Sequence, residues 1–213
     1  MSDWDVYLVT EERLSAGRAT TDIVEAAVAG GADVVQLREK GRSARERYRL
    51  GRELRALTRK ADVTLIVNDR VDLARAVDAD GVHLGDDDLP VEVAREQLGP
   101  DAVIGRSVSF VDDAREAERA GADYLGVGAV YETGSKDDID DDEHGIGPER
   151  VAEIADAVDI PVVGIGGVTA DNAGPVVEAG ADGVAVITAI TRAADPEAAT
   201  RELGEVVSRA RGD

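Results

Sequence analysis

Lysine stands at only three positions of the 213-residue chain, 40, 60 and 136, while arginine is used freely. Lys40 ends the stretch Gln36-Leu37-Arg38-Glu39-Lys40, and Lys136 closes Thr133-Gly134-Ser135-Lys136. A guanidinium can hold a phosphate through two parallel hydrogen bonds, and an ammonium adds a compact point charge. Arg38, Lys40 and Lys136 are therefore candidate anion ligands, with scattered surface lysines as the bland alternative. Asn68 and Asp69 follow the run Val63-Thr64-Leu65-Ile66-Val67, and Asp86, Asp87 and Asp88 follow Gly81-Val82-His83-Leu84. Carboxylates from adjacent strands, completed by phosphate oxygens and water, suit Mg2+. Asp69 is placed for this, but spacing does not choose among the three consecutive aspartates, and in so acidic a chain all of them could simply be solvated.

A second anion site is written in Gly164-Ile165-Gly166-Gly167-Val168-Thr169, where glycines precede a helix start and let backbone N–H groups approach a phosphate. Thr188 stands where it could complete that cup. One site has the size of a pyrophosphate and the other of a single phosphate, so two phosphorylated small molecules meeting in one mouth point to a transferase. The chain has no cysteine, which removes thiolate nucleophiles and Cys-ligated metals. Its two histidines, His83 and His144, fall within a strand run and an acidic run, and neither is paired with a nucleophile.

These groups can converge only if the elements before them do. Short β-branched runs near residues 4–9, 33–37, 63–67, 81–84, 102–105, 124–127, 161–165 and 183–187 alternate with helical patterns such as 21–30, 114–120 and 171–180. Gly31-Ala32-Asp33, Asp78-Ala79-Asp80, Gly121-Ala122-Asp123 and Gly180-Ala181-Asp182 recur before apolar runs and mark helix-to-strand junctions. Eight such units predict a single α/β domain over 1–213, a closed (β/α)8 TIM barrel. In that fold side chains at the strand C-termini gather at one mouth. A doubly wound open sheet is the runner-up, but it usually carries a glycine-rich turn after the first strand, and residues 6–13 contain no glycine.

Composition sets the outer limits. Lys+Arg 24 against Asp+Glu 45 gives a net charge of -21, which disfavours binding to nucleic acid or an anionic membrane. An acidic, arginine-over-lysine surface predicts a protein kept soluble in concentrated salt. Residues 38–60 depart from this, with eight arginines and two lysines, but Tyr48 is the only aromatic there for base stacking, so a solvated or interface helix is expected. No apolar run approaches a membrane span, and MSDWDVYLVT has neither the basic nor the apolar region of a signal peptide, so a cytoplasmic protein is expected. A homo-oligomer is admitted but not specified.

The stretches QLREK (36–40), NDR (68–70), GVHLGDDDL (81–89), GRS (105–107), DYLGVGAVYETGSK (123–136), VVGIGGVTADNA (162–173) and GVAVITAI (183–190) together resemble the thiamine-phosphate synthase family, from Tyr7 to about Pro196. The resemblance implies a (β/α)8 barrel that joins hydroxymethylpyrimidine pyrophosphate to a thiazole phosphate and releases pyrophosphate with Mg2+. It implies that Gln36, Arg38, Glu39, Lys40, Asn68, Ser107 and Lys136 hold the pyrimidine pyrophosphate, and that Arg38, Lys40 and Lys136 assist its departure. Asp69 and Asp88 would be the metal ligands, and Thr133, Gly134, Ser135, Gly167, Ile187 and Thr188 would hold the thiazole phosphate. Glu132 stands where proline is usual, Ser135 where threonine is usual and Thr188 where serine is usual; the last two keep a hydroxyl. A related thiazole tautomerase relies on a histidine, but Val108-Ser109-Phe110 after Ser107 supplies none. A catalytically silent precursor sensor is disfavoured because the charged groups remain.

Overall fold

The structure is a computed structural model that describes residues 4–134 and 145–212. Ser135, Lys136, His144 and the acidic run between them lie outside the described residues.

Eight parallel strands, β1 (Val6–Val9), β2 (Val34–Leu37), β3 (Thr64–Asn68), β4 (Gly81–Leu84), β5 (Val103–Val108), β6 (Tyr124–Val127), β7 (Val162–Ile165) and β8 (Gly183–Val186), close in chain order, with β8 pairing β1. Each is a nearly continuous buried run because a parallel sheet wrapped by helices is covered on both faces. Alternate side chains divide between two cores. Tyr7, Val9, Val34, Ile66, Tyr124 and Val163 fill the barrel interior, while Leu8, Val35, Leu37, Leu65 and Val67 pack outward against the helices.

Those helices are α1 (Thr20–Ala29), α2 (Ala44–Ala61), α3 (Val71–Val77), α4 (Val91–Leu98), α5 (Val111–Arg119), α6 (Gly147–Ala155), α7 (Ala173–Glu178), α8 (Thr188–Thr191) and α9 (Pro196–Arg211). The basic segment becomes α2, opened by a capping box between Ser43 and Glu46. Two of its arginines are engaged by acids: Arg55 holds Asp80 through two bonds of 2.7 Å, and Arg59 holds Asp78. Among the described residues no helix is long and apolar enough to cross a membrane.

The repeated Asp has a structural task at the N-terminal end of the barrel. Asp33 accepts hydrogen bonds from the N–H of Asp5 (2.9 Å) and Val6 (3.0 Å), Asp80 from Leu65 (2.8 Å), Asp123 from Ile104 (2.7 Å) and Asp182 from Val162 (2.8 Å). Each carboxylate at the start of an even-numbered strand thus clamps the start of the odd-numbered strand before it. The residue two before each clamp is left-handed: Gly31, Gly121 and Gly180, with Asp78 in the fourth copy at φ 60°.

Two boundaries differ from the sequence expectation. β5 runs on to Val108 instead of ending at Gly105, because Arg106, Ser107 and Val108 continue the ladder with Leu125, Gly126 and Val127. The last unit holds two helices, as Asp195 caps Ala198 N–H at 3.1 Å and Pro196 starts α9 afresh after short α8.

Candidate active site

The site is built from strand alternation carried past the strand ends. Along β2 and its extension, Leu37 points out into the helical shell, while Arg38 and Lys40 line a cavity of about 670 Å³ at the C-terminal mouth. Arg38 is 3% exposed, and its Nη1 donates to Glu11 Oε2 at 2.8 Å. A neighbouring carboxylate offsets much of the cost of burying a guanidinium there. Arg38 Nε is buried with no hydrogen-bond partner among the described residues, and Asn68 Nδ2 on the same cavity wall is in the same state.

Glu39, between Arg38 and Lys40, is not among the residues lining the cavity. Its φ of 41° turns it away from the cavity, and its carboxylate accepts from Glu12 N–H (2.9 Å) and the Thr20 hydroxyl (2.7 Å). It sets the turn that presents its two cationic neighbours.

Asp69 follows β3 with φ 62°, a left-handed conformation that aspartate tolerates better than most residues. Its carboxylate lies 3.6 Å from Lys40 Nζ. Asp88 accepts from Gly85 N–H at 2.6 Å and is in hydrogen-bond contact with Asp69. Asp86 instead pairs with Arg106 Nη2 at 2.6 Å and Asp87 is exposed, which separates the three aspartates that spacing left equivalent. Burial, and then the charge of Asp69, raise the Asp88 pKa to about 6. Asp69 and Asp88 supply oxygen donors, the ligand type a hard cation such as Mg2+ takes, though among the described residues no group of three or more His, Cys, Asp or Glu is placed to hold a metal ion by itself.

Ser107 sits within β5, not after it, and lines the cavity. Its hydroxyl lies 2.9 Å from His83 Nε2, whose Nδ1 lies 2.9 Å from the Tyr124 hydroxyl. Gln36 is one layer lower, off the main cavity wall, with Nε2 donating to the Tyr7 hydroxyl at 2.7 Å. Sequence reasoning passed over Tyr7 and Tyr124. The available signal was their parity, since both occupy inward positions of their strands.

Across the cavity, Gly166 and Gly167 have φ 98° and 65°, which exposes backbone to the mouth in a conformation side chains resist. Asn172 secures this loop by accepting from Thr169 N–H (2.7 Å) and donating to Gly167 O (3.0 Å). Ile187, Thr188, Thr133 and Gly134 line the same side. Arg192 also lines it and was not anticipated; lying one helical turn beyond Thr188, it shares that residue's face of α8.

Arg38, Lys40, Asn68, Asp69, Asp88 and Ser107 thus share one cavity with the glycine cup. A closed barrel with its functional groups at the strand C-termini defines the chain as an enzyme of the (β/α)8 class. Residues 6–190 match the family model of thiamine monophosphate synthase. The chain is 70% identical over 211 residues to a thiamine-phosphate synthase of Haloarcula marismortui, covering 99% of this chain and 100% of that one. It is 54% identical over 212 residues to one of Moorella thermoacetica, covering 100% of both. The solved structure of a thiamine phosphate pyrophosphorylase from Pyrococcus furiosus matches with a TM-score of 0.89 at 44% identity, covering 98% of each chain. The chain belongs to the thiamine monophosphate synthase family, whose enzymes transfer a pyrimidinylmethyl group.

Proposed function

We propose that the enzyme condenses hydroxymethylpyrimidine pyrophosphate with a thiazole phosphate, giving thiamine phosphate and pyrophosphate in a Mg2+-assisted, dissociative substitution. The observation that carries this is the pair of buried donors without partners among the described residues, Arg38 Nε and Asn68 Nδ2, on a wall shared with Lys40 and the Asp69–Asp88 pair. Buried donors are rarely left unmatched, and an oxygen-rich anion matches both. The cup of Gly166, Gly167 and Thr188 opposite is suited to the second phosphate.

Asp69 and Asp88 would hold Mg2+, which supplies Lewis-acid stabilisation of the departing pyrophosphate. Arg38 and Lys40, joined by Lys136, neutralise the same charge. The bond between the methylene carbon and oxygen breaks with its electron pair leaving on pyrophosphate. The electron-rich aminopyrimidine carries the positive charge, and the thiazole nitrogen lone pair then forms the new bond to the methylene. No protein base is needed, so catalysis rests on electrostatics and on holding two substrates in register. The work is that of a cytoplasmic biosynthetic enzyme.

Pyrophosphate release on mixing both substrates with Mg2+ tests this. Release that depends on both substrates is expected from the wild type and is lost in Asp69→Ala and Lys136→Ala. Undiminished rates in those variants would overturn the site assignment.

A further inference from the structure

Beneath the cavity floor, five side chains from five strands form one continuous hydrogen-bonded chain: Gln36 Nε2 to Tyr7 OH (2.7 Å), Tyr7 OH to Tyr124 OH (2.8 Å), Tyr124 OH to His83 Nδ1 (2.9 Å) and His83 Nε2 to Ser107 Oγ (2.9 Å). Tyr7, Tyr124 and Gln36 are buried, at 2%, 1% and 4% exposure. Two glycines make the room. A Cβ on Gly105 would stand 2.1 Å from the Tyr124 ring, and one on Gly126 would stand 2.9 Å from the His83 ring.

The inventory of donors orders the protons. An amide nitrogen only donates, so Tyr7 oxygen accepts from Gln36. Among the described residues the Tyr7 hydroxyl proton then has one acceptor, Tyr124 oxygen. Tyr124, having accepted, donates to His83 Nδ1, which must carry no proton. The neutral imidazole carries its proton on Nε2 and donates to Ser107 Oγ, leaving the serine proton to point into the cavity that Ser107 lines. An Nδ1–H or doubly protonated imidazole would push the order back the other way and leave the Tyr7 proton buried without an acceptor, which is costly in a low-dielectric interior. Burial also raises the pKa of both phenols, so both keep their protons.

We propose that Gln36, Tyr7, Tyr124 and His83 form a one-way hydrogen-bond chain that holds His83 as the Nε2–H tautomer and fixes Ser107 as a donor to an oxygen of the departing pyrophosphate. The second half rests on the proposed function; the tautomer does not. Tyr7, Tyr124 and His83 are positioning residues, acting through the serine.

Only two histidines occur in the sequence, so 15N-histidine labelling of His144→Gln isolates His83. A long-range 1H–15N spectrum of the full chain without substrate, at neutral pH, is expected to show a protonated Nε2 and an unprotonated Nδ1. A protonated Nδ1, alone or together with Nε2, overturns the proposal. In kinetics, Tyr124→Phe should lower kcat by roughly tenfold or more with KM nearly unchanged, less than the roughly hundredfold cost of deleting an oxyanion donor outright. In a Ser107→Ala background the same change should have no further effect, and an equal loss there would sink the positioning role. An Nε2–H signal in a protein that releases no pyrophosphate would instead count against the proposed function.

Discussion

Asp88 leans on Asp69, in hydrogen-bond contact with it, where acids from two consecutive strand ends meet in the mouth. Burial and that neighbour raise the Asp88 pKa from an ordinary 3.8 to about 6. A raised folded-state pKa means that the stabilising contribution is complete below 3.8 and is lost as pH rises through about 6. In chelator, Asp88→Asn should therefore match or trail the wild type in melting temperature near pH 4 and exceed it near pH 8, in line with linkage. The same variant should be inactive. Mg2+ affinity, measured by calorimetry, should strengthen as pH rises through about 6, with proton release on binding.

Asn68 Nδ2 is a buried donor with no hydrogen-bond partner among the described residues. Asn68→Ala should cost under about 1 kcal/mol in denaturant unfolding, since no hydrogen bond is broken, yet lower kcat/KM by about tenfold or more through the lost bond to a charged acceptor. A variant that loses stability but not kcat/KM would contradict the role given to this amide.

Asp123, at the far end of the barrel, pairs with Arg95 at 2.6 Å and accepts from Ile104 N–H at 2.7 Å. Asp123→Ala strands the Ile104 N–H and removes the charge partner of Arg95, which keeps its bonds to the Ala102 and Gly121 carbonyls, and should cost about 2 kcal/mol in unfolding free energy. Asp123→Asn keeps an acceptor and should cost about half as much. Neither should change kcat of the folded enzyme.

The net charge of -21 sets the response to salt. Screening relieves self-repulsion, so the melting temperature should climb between about 0.1 and about 2 M KCl. A flat profile would mean that surface repulsion is locally balanced. The 70% identity to a Haloarcula protein fits the first outcome.

The barrel was legible because the buried parallel strands are short apolar runs, several of them closed by a charged or glycine residue, as at Leu37 before Arg38, Leu84 before Gly85 and Val127 before Gly128. Arg38, Asp69 and Gly167 could be placed at the mouth by that rule alone. Other features depend on partners distant in sequence. β5 looked finished at Gly105 because Arg106 and Ser107 are polar, and only pairing with β6 shows that the strand continues. Glu39 looks like its cationic neighbours in the string, but its positive φ turns it outward. Asp86, Asp87 and Asp88 are equivalent by spacing, whereas in the fold Arg106 takes Asp86 and the Gly85 N–H takes Asp88. Tyr7 and Tyr124 meet at 2.8 Å across 117 residues, a contact no local pattern carries.

The aspartate clamps also say where the chain can be cut. Each joins two strands that are consecutive in sequence, β1 with β2, β3 with β4, β5 with β6 and β7 with β8. The molecule is therefore fastened as four successive quarters. A circular permutant reopened after α2 or α4 keeps every fastening within an unbroken stretch, whereas one reopened in α3 sends Leu65 and Asp80 to opposite termini.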